Sequence, residues 1–347
     1  MRREELIFAR PASLQATAPP EERGLARDEV RLLISSAAGQ QHAHFYELAN
    51  FLRRGDLLVV NNSATLPASL PAAGEVGRFI VNLSTNYGQG LWLAEPRYSA
   101  AKPGPLPLHA GERIQIAGLE ARLVAPHPGI PRLWFIQVDG WLEEAMVRMG
   151  QPIHYGYVER SYPLAAYQTI FARVPGSAEM PSAARPFSQR VLDSLHRHGV
   201  QFAEITLHTG VSSLEVEEEE VEQHILYAEP FRVPAVTAEA VNAAHNAGRR
   251  VIAAGTTVVR ALESAWDGAG VRAVAGFTRR YVHPANGVHV IDGLLSGLHD
   301  PLASHLAMLY AIAGPQLIRA GYAEAIRAGY LWHEFGDSHL IIADCRL

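Results

Sequence analysis

Val251-Ile-Ala-Ala-Gly-Thr-Thr-Val-Val-Arg-Ala-Leu-Glu-Ser264 is the stretch that decides how this chain reads. Val251–Ala254 is a short apolar run with the texture of a buried strand. Gly255 interrupts it, and Thr257–Trp266 continues directly with helical spacing. A strand that turns through Gly255-Thr256-Thr257 into a helix leaves backbone N–H groups and two hydroxyls at a helix N-terminus. There they either cap the helix or hold an anionic or polar ligand group. Arg260 and Glu263 lie one turn apart, spaced to pair with each other. Alternatively, Arg260 holds a ligand carboxylate.

Strands and helices alternate on both sides of this junction. Upstream, Phe187–His198 is amphipathic, with Ser188 placed as N-cap and Gly199 as stop. Phe202–His208 alternates as a strand, and Thr237–Ala247 is helical up to Gly248. Downstream, Val288–Ile291 reads as a strand, Pro301–Ala313 and Gly314–Gly329 as two helices, and Ser338–Ala343 as a closing strand. Near the start, residues 43–60 read as a short helix leading into a strand that ends in Leu57-Leu-Val-Val60, with Asn61-Asn62-Ser63 as turn formers. This alternation argues for a layered α/β domain.

The texture changes between about Leu66 and Gly140. Arg78–Leu83, Gly90–Ala94, Glu112–Ile116, Glu120–Val124 and Leu133–Val138 are short β-rich runs separated by Gly and Pro clusters. Close-spaced strands with no helix between them suggest a small antiparallel barrel or sandwich. The expected organisation is an α/β main domain of residues 1–65 and 150–347 carrying an inserted β domain of residues 66–149.

Composition sets outer bounds. The chain has 347 residues, 48% hydrophobic and 19% charged, as expected for an ordinary globular protein of two domains or one large one. No apolar run reaches the roughly 18 residues a membrane span needs. The N-terminal MRREELIFARPASLQ has basic residues but no apolar stretch after them, so a secretory leader is not expected and the cytosol is the default compartment. The single cysteine, Cys345, excludes an intramolecular disulfide and a cysteine-rich zinc site. It lies near the chain end, where fraying rather than catalysis is expected. The formal net charge is −5, so any grip on a nucleic acid has to come from a local basic patch.

The Gly255–Ser264 segment resembles a signature of the S-adenosylmethionine:tRNA ribosyltransferase-isomerase family of queuosine biosynthesis. Further matches follow in the same order along the chain. They are Arg27-Asp28 with Arg31-Leu-Leu33, Arg54–Asn61, Tyr167-Gln-Thr169 with Phe171-Ala172, Thr206-Leu-His208 with Gly210, and His224 with Glu229. Asp292, His299, Tyr322-Ala323, Ala325-Ile326 and Gly336-Asp337 complete the series. The resemblance spans roughly residues 27–342 and leaves out only the β-rich segment. It implies an α/β main domain with an inserted small antiparallel β-barrel.

It also implies a reaction. The family uses S-adenosylmethionine as a ribosyl donor and needs no metal. The acceptor is 7-aminomethyl-7-deazaguanine in tRNA, the product epoxyqueuosine, and adenine and methionine are released. The sulfonium acidifies the hydrogens of the neighbouring ribose carbon, so a positioned base can remove one. His208 and His299 are the candidate catalytic residues, since imidazole titrates near neutrality; each reads equally as a structural histidine or a cap. The candidate substrate-binding residues are Arg27, Asn61, Ser182, Gly210, His224, Glu229, Gly255, Thr256, Thr257, Arg260 and Asp337. His224 and Glu229 also read as part of a solvated acidic loop behind Glu215–Glu222, and Asp337 as a turn residue beside Gly336. S-adenosylmethionine and tRNA are the implied partners, with no membrane.

Several polar positions depart from the family pattern. Pro-Thr-Ala-Gly-Leu-His-Phe is here Pro181-Ser-Ala-Ala-Arg-Pro-Phe187. Asn-Asp-Thr-Arg is Asn61-Asn-Ser-Ala64, and Val-Gly-Ala-Gly-Thr-Phe is Thr209-Gly-Val-Ser-Ser-Leu214. A later arginine is Ser69, a second histidine near the acidic run is Tyr227, and Thr-Asn-Phe-His is Ser296-Gly-Leu-His299. Lost arginines weaken a phosphate contact. Two functions therefore stand side by side: the tRNA reaction, or a divergent paralogue that turns S-adenosylmethionine over with a small molecule or only binds a ligand.

Overall fold

The computed structural model describes residues 1–158, 160–211 and 215–343. Cys345 lies outside them.

After four short 3₁₀ turns the chain forms β1 (Arg31–Ser36) and β2 (Gly39–His44), a 3₁₀ segment (Phe45–Phe51), β3 (Leu57–Asn61) and β4 (Ser63–Thr65). Six strands follow: β5 (Ser69–Gly74), β6 (Gly77–Gly88), β7 (Leu91–Arg97), β8 (Arg113–Ile116), β9 (Leu119–His127) and β10 (Ile130–Val138). Then come α1 (Leu142–Met149), β11 (Val174–Ser177), α2 (Gln189–His198), β12 (Gln201–Leu207), β13 (Glu229–Val233) and α3 (Ala235–Asn246). The chain ends with β14 (Val251–Ala254), α4 (Thr256–Ala265), β15 (Val274–Thr278), β16 (Gly293–Gly297), α5 (Ser304–Arg327) and β17 (Ser338–Ile342).

The main body is a nine-stranded sheet in the order β15-β13-β12-β3-β14-β16-β17-β1-β2. Its centre is parallel: β12, β14 and β16 run with β3. Both faces of this centre are covered, which explains the unbroken apolar runs. Leu57, Val59, Val251 and Ala253 pack with the residues of α3, α4 and α5. Their alternates Leu58, Val60, Ile252 and Ala254 pack with Phe45, Phe187, Val191 and Leu195 on the other face. The Ser188 hydroxyl caps α2 by accepting from Val191 N, and Gly199 ends it in the left-handed conformation, as the sequence implied.

Strands β10-β7-β6-β5-β8-β9 close into an antiparallel barrel. Alternate residues fill its interior, among them Leu70, Val81, Leu83, Leu93, Ile116, Leu123 and Ile136, and Ala145 and Met146 of α1 join that core. The expected α/β body with a small antiparallel β-barrel is therefore observed.

The two helices expected over 301–329 are observed within Ser304–Arg327, divided where Gly314 takes φ 75° before Pro315. Two local expectations are corrected. Val288–Ile291 is not a strand: the amides of His289 and Val290 donate to Glu263 Oε1, at 2.8 and 2.9 Å, and the strand begins at Gly293 opposite Ile252. Arg260 does not pair with Glu263. Glu263 turns to His289 Nδ1 at 3.0 Å, and Arg260 reaches the Glu229 carboxylate instead. Among the described residues no helix is long and apolar enough to cross a membrane.

Candidate active site

A cleft of about 400 Å³ opens beyond the C-terminal ends of the parallel strands. That is where open α/β sheets place ligands. Its floor is Gly255-Thr256-Thr257 between β14 and α4, with Thr209 after β12 and Ser296–Pro301 after β16. Met180–Ala183 form one wall, while Arg97 and Arg132 of the barrel and Tyr155 and Tyr157 of the connecting segment form the other.

Gly255 sits at φ 107°, a conformation an L side chain rarely adopts, and brings the chain from strand to helix without a Cβ. Asn61, completely buried, holds this floor together. Its Nδ2 donates to Leu207 O at 2.8 Å and Thr257 Oγ1 at 3.2 Å, while its Oδ1 accepts from the amides of Leu207 and Ser63, both at 3.1 Å. One amide thereby ties the ends of β3 and β12 to the first turn of α4.

His299 and His305 line the cleft as a stacked pair. His299 Nε2 lies 2.8 Å from Ser296 Oγ, its backbone N–H donates to Tyr322 Oη, and its carbonyl accepts from Trp332 Nε1. Burial, then the neighbouring His305, pushes its pKa well below the usual histidine value. Burial, then Arg260 and His224, lowers that of His305 to about 4. Among the described residues no hydrogen bond reaches either ring nitrogen of His305, whose Nδ1 is buried. At neutral pH both rings are uncharged and able to accept a proton.

The lining is acidic on balance. Glu179, Glu215, Asp300 and Glu334 stand against Arg97 and Arg132, and both guanidiniums are engaged by the buried Glu95, at 3.0 and 2.8 Å. Tyr155 Oη donates to Glu179 and Tyr157 Oη to Glu334 at 2.6 Å. Tyr157 stacks on His333 with centroids 4.2 Å apart, and His333 Nε2 lies 3.3 Å from Asp300. Such a cleft suits a ligand that carries positive charge next to planar rings.

Of the residues singled out from the sequence, Ser182, Gly255, Thr256, Thr257 and His299 line this cleft. The others stand behind it or elsewhere. His208 is not in the lining; its Nδ1 lies 2.7 Å from Ser63 Oγ, which also meets Ser177 Oγ, and burial lowers its pKa. The imidazole that accompanies His299 is therefore His305, not His208. Gly210 N donates to Glu229 Oε1 at 2.7 Å, and Glu229 receives Arg260, forming a strut behind the floor. His224 is buried, with Nδ1 3.2 Å from Glu218. Neither it nor Glu229 belongs to a solvated loop. Arg27 binds Gln168 O and Glu21, and Asp337 accepts from Arg31 and Leu331 N. Sequence reasoning missed Arg97, Arg132, Tyr155, Tyr157, Glu179, His305, His333 and Glu334. They come from the barrel, the connecting segment, the first turn of α5 and the loop before β17, and no periodicity marks them as cleft residues.

Comparison with known proteins decides the ancestry. The queuosine biosynthesis protein family matches residues 3–341. The chain belongs to that family. Relatives in it named S-adenosylmethionine:tRNA ribosyltransferase-isomerase are similar to this chain over nearly their full length. The protein from Rubrobacter xylanophilus is 36% identical over 100% of this chain and 99% of its own. That from Thermus thermophilus is 35% identical over 91% and 93%, and that from Moorella thermoacetica 34% over 99% and 100%. The crystal structure of S-adenosylmethionine tRNA ribosyltransferase from Thermotoga maritima shares the fold, with a TM-score of 0.54 at 24% identity over 97% of this chain and 100% of that one. In this queuosine biosynthesis family member Gly255, Thr256 and Thr257 build the cleft floor, and His299 lines the cleft with them.

Proposed function

We propose that this chain is an S-adenosylmethionine:tRNA ribosyltransferase-isomerase. It transfers and isomerises the ribosyl moiety of S-adenosylmethionine onto 7-aminomethyl-7-deazaguanine in tRNA to give epoxyqueuosine. The observation that carries this reading is the end-to-end similarity to relatives of that name, coupled with a cleft floored by Gly255, Thr256 and Thr257, the start of the segment that resembles the family signature. No metal enters the reaction.

The acidic lining holds the sulfonium, and the first-turn amides and hydroxyls of Thr256 and Thr257 hold polar groups of the donor. His299 and His305 supply neutral imidazoles. One takes the proton from the ribose carbon next to sulfur, and adenine is then expelled with the electron pair of its glycosidic bond. The aminomethyl nitrogen attacks the ribose, and methionine leaves as the epoxide closes. A cleft walled by Tyr155, Tyr157 and Met180 limits water during these steps. The division into a body of residues 1–65 and 150–347 and a module of 66–149 places donor chemistry in the body and lends one wall from the module. A tRNA-modifying activity carries a cytoplasmic location with it.

The test is incubation of the pure protein with S-adenosylmethionine, with and without tRNA bearing the aminomethyl base. Release of adenine and methionine, with epoxyqueuosine appearing only in that tRNA, is expected. Turnover that is indifferent to tRNA, or none at all, overturns the reading.

A further inference from the structure

One end of the main sheet is left bare. On β13 and β15, Phe231, Val233 and Thr278 point into the body and are buried. Opposite faces alternate along a strand, and residues paired across strands share a face. Arg232 pairs with Ala275 and Pro230 with Phe277, so Arg232, Ala275, Pro230 and Phe277 share the outer face. Phe277 is 52% exposed there, an unusual cost for a large aromatic, and Arg232 and Arg279 are exposed as well. No hydrogen bond or ion pair among the described residues engages either guanidinium.

The barrel extends this face. The half-buried ring of Tyr87 lies 5.4 Å from that of Phe277 at 31°, and it is backed by Phe135, 5.9 Å away, with the buried His127 stacked on Phe135 at 5.7 Å. The charge of Arg279 acts on both Tyr87 and His127. The strip also joins the cleft. Tyr87 Oη donates to Ala228 O, and next along the chain Glu229 binds Gly210 N, one residue from the cleft residue Thr209.

We propose that this strip, Phe277 and Tyr87 flanked by Arg232 and Arg279, binds the unstacked bases and phosphates of a single-stranded RNA loop and leads it to the cleft. A bare sheet face with aromatic rings and unspent arginines fits RNA loops, whose bases stack on rings while phosphates take the cations. In a chain of net charge −5 the two free guanidiniums supply the local basic patch that an RNA contact requires. The assignment rests on the tRNA reading above and identifies the surface that serves it.

The test measures binding of a fluorescent anticodon stem–loop carrying the aminomethyl base, by anisotropy across a salt series, alongside S-adenosylmethionine affinity and melting temperature. Phe277→Leu removes the ring but keeps the bulk, and is expected to weaken RNA binding about tenfold. Phe277→Tyr is expected to restore it. Arg232→Ala with Arg279→Ala is expected to lower the magnitude of the log–log salt slope by roughly one to two. Donor affinity and melting temperature stay at the parental values. If the parent binds the RNA and these variants bind it equally well, the surface is wrong while the proposed function stands. If the parent binds no RNA, both fall. Concentration-dependent self-association that Phe277→Leu abolishes, with RNA affinity unchanged, makes the strip a protein interface and overturns the proposal.

Discussion

The imidazoles of His299 and His305 lie face to face, centroids 4.5 Å apart and planes 7° from parallel, at the edge of the cleft. His299 is fixed through Ser296 Oγ, Tyr322 and Trp332. His305 sits in the first turn of α5, where the helix dipole disfavours a positive charge. Two rings so close cannot both be protonated without strong repulsion, and burial already favours the neutral forms.

This pair makes stability fall in acid. The pKa of His305 is depressed in the folded state to about 4, below the unfolded value of about 6.5. Its contribution is thus fully present above about pH 6.5, and is lost as pH falls through the folded value, because the unfolded chain takes up a proton the folded chain refuses. The slope amounts to about 1.4 kcal/mol per pH unit for one such group. Melting temperature followed from pH 7 to 4 should decline, and His305→Gln should decline less steeply. An unchanged slope in the variant places the proton uptake elsewhere.

Thr256→Ala and Arg260→Ala should separate binding from stability. Thr256 lines the cleft, so its loss should weaken S-adenosylmethionine binding, read by calorimetry, with little change in unfolding free energy. Arg260 pairs with the buried Glu229 behind the floor. Removing it leaves an uncompensated buried carboxylate and should cost about 3–5 kcal/mol in denaturant unfolding.

Gly255→Ala should damage the floor directly. At φ 107° and ψ 153°, a region used essentially by glycine alone, an alanine is strained by about 1–3 kcal/mol. Its Cβ would stand 3.4 Å from Ala183 Cβ on the facing wall. A loss of donor affinity larger than the loss of stability is expected, measured on the same sample by calorimetry and thermal unfolding.

Arg185 is buried and works as a brace. It donates to Glu21 at 2.8 Å and to Ala166 O at 2.9 Å, with its guanidinium 5.0 Å over the ring of Phe335. It thereby pins the Ser182–Ala184 wall to the N-terminal segment. Arg185→Ala should cost about 1.5–3 kcal/mol, the worth of a hydrogen bond to a charged group. A double-mutant cycle with Glu21→Gln should return a coupling of at least about 0.5 kcal/mol. Additive losses would show that the two side chains act separately.

Much of this was legible in the one-dimensional chain. The apolar runs of β3 and β14, the Ser188 and Gly199 ends of α2, and the Gly255 break all follow from local rules of burial, capping and backbone freedom. The same rules misread Val288–Ile291, because a carboxylate on another element, Glu263, captures its amides. They also paired Arg260 with its helical neighbour Glu263, whose carboxylate is instead taken by His289 and the Val290 amide while Arg260 reaches Glu229.

The sequence by itself determined the family through collinear motifs, and through local patterning the α/β body with its inserted β-rich segment and the strand-to-helix turn that floors the cleft; that this segment is a barrel followed from the family resemblance. Only the tertiary structure decided which groups face the ligand. His305, Tyr157, Glu179 and Glu334 are brought in from separate elements. Asn61, Glu229 and Arg260 are spent holding the floor in place. A side chain's task is set by the partners that folding supplies, and those partners lie far away in the sequence.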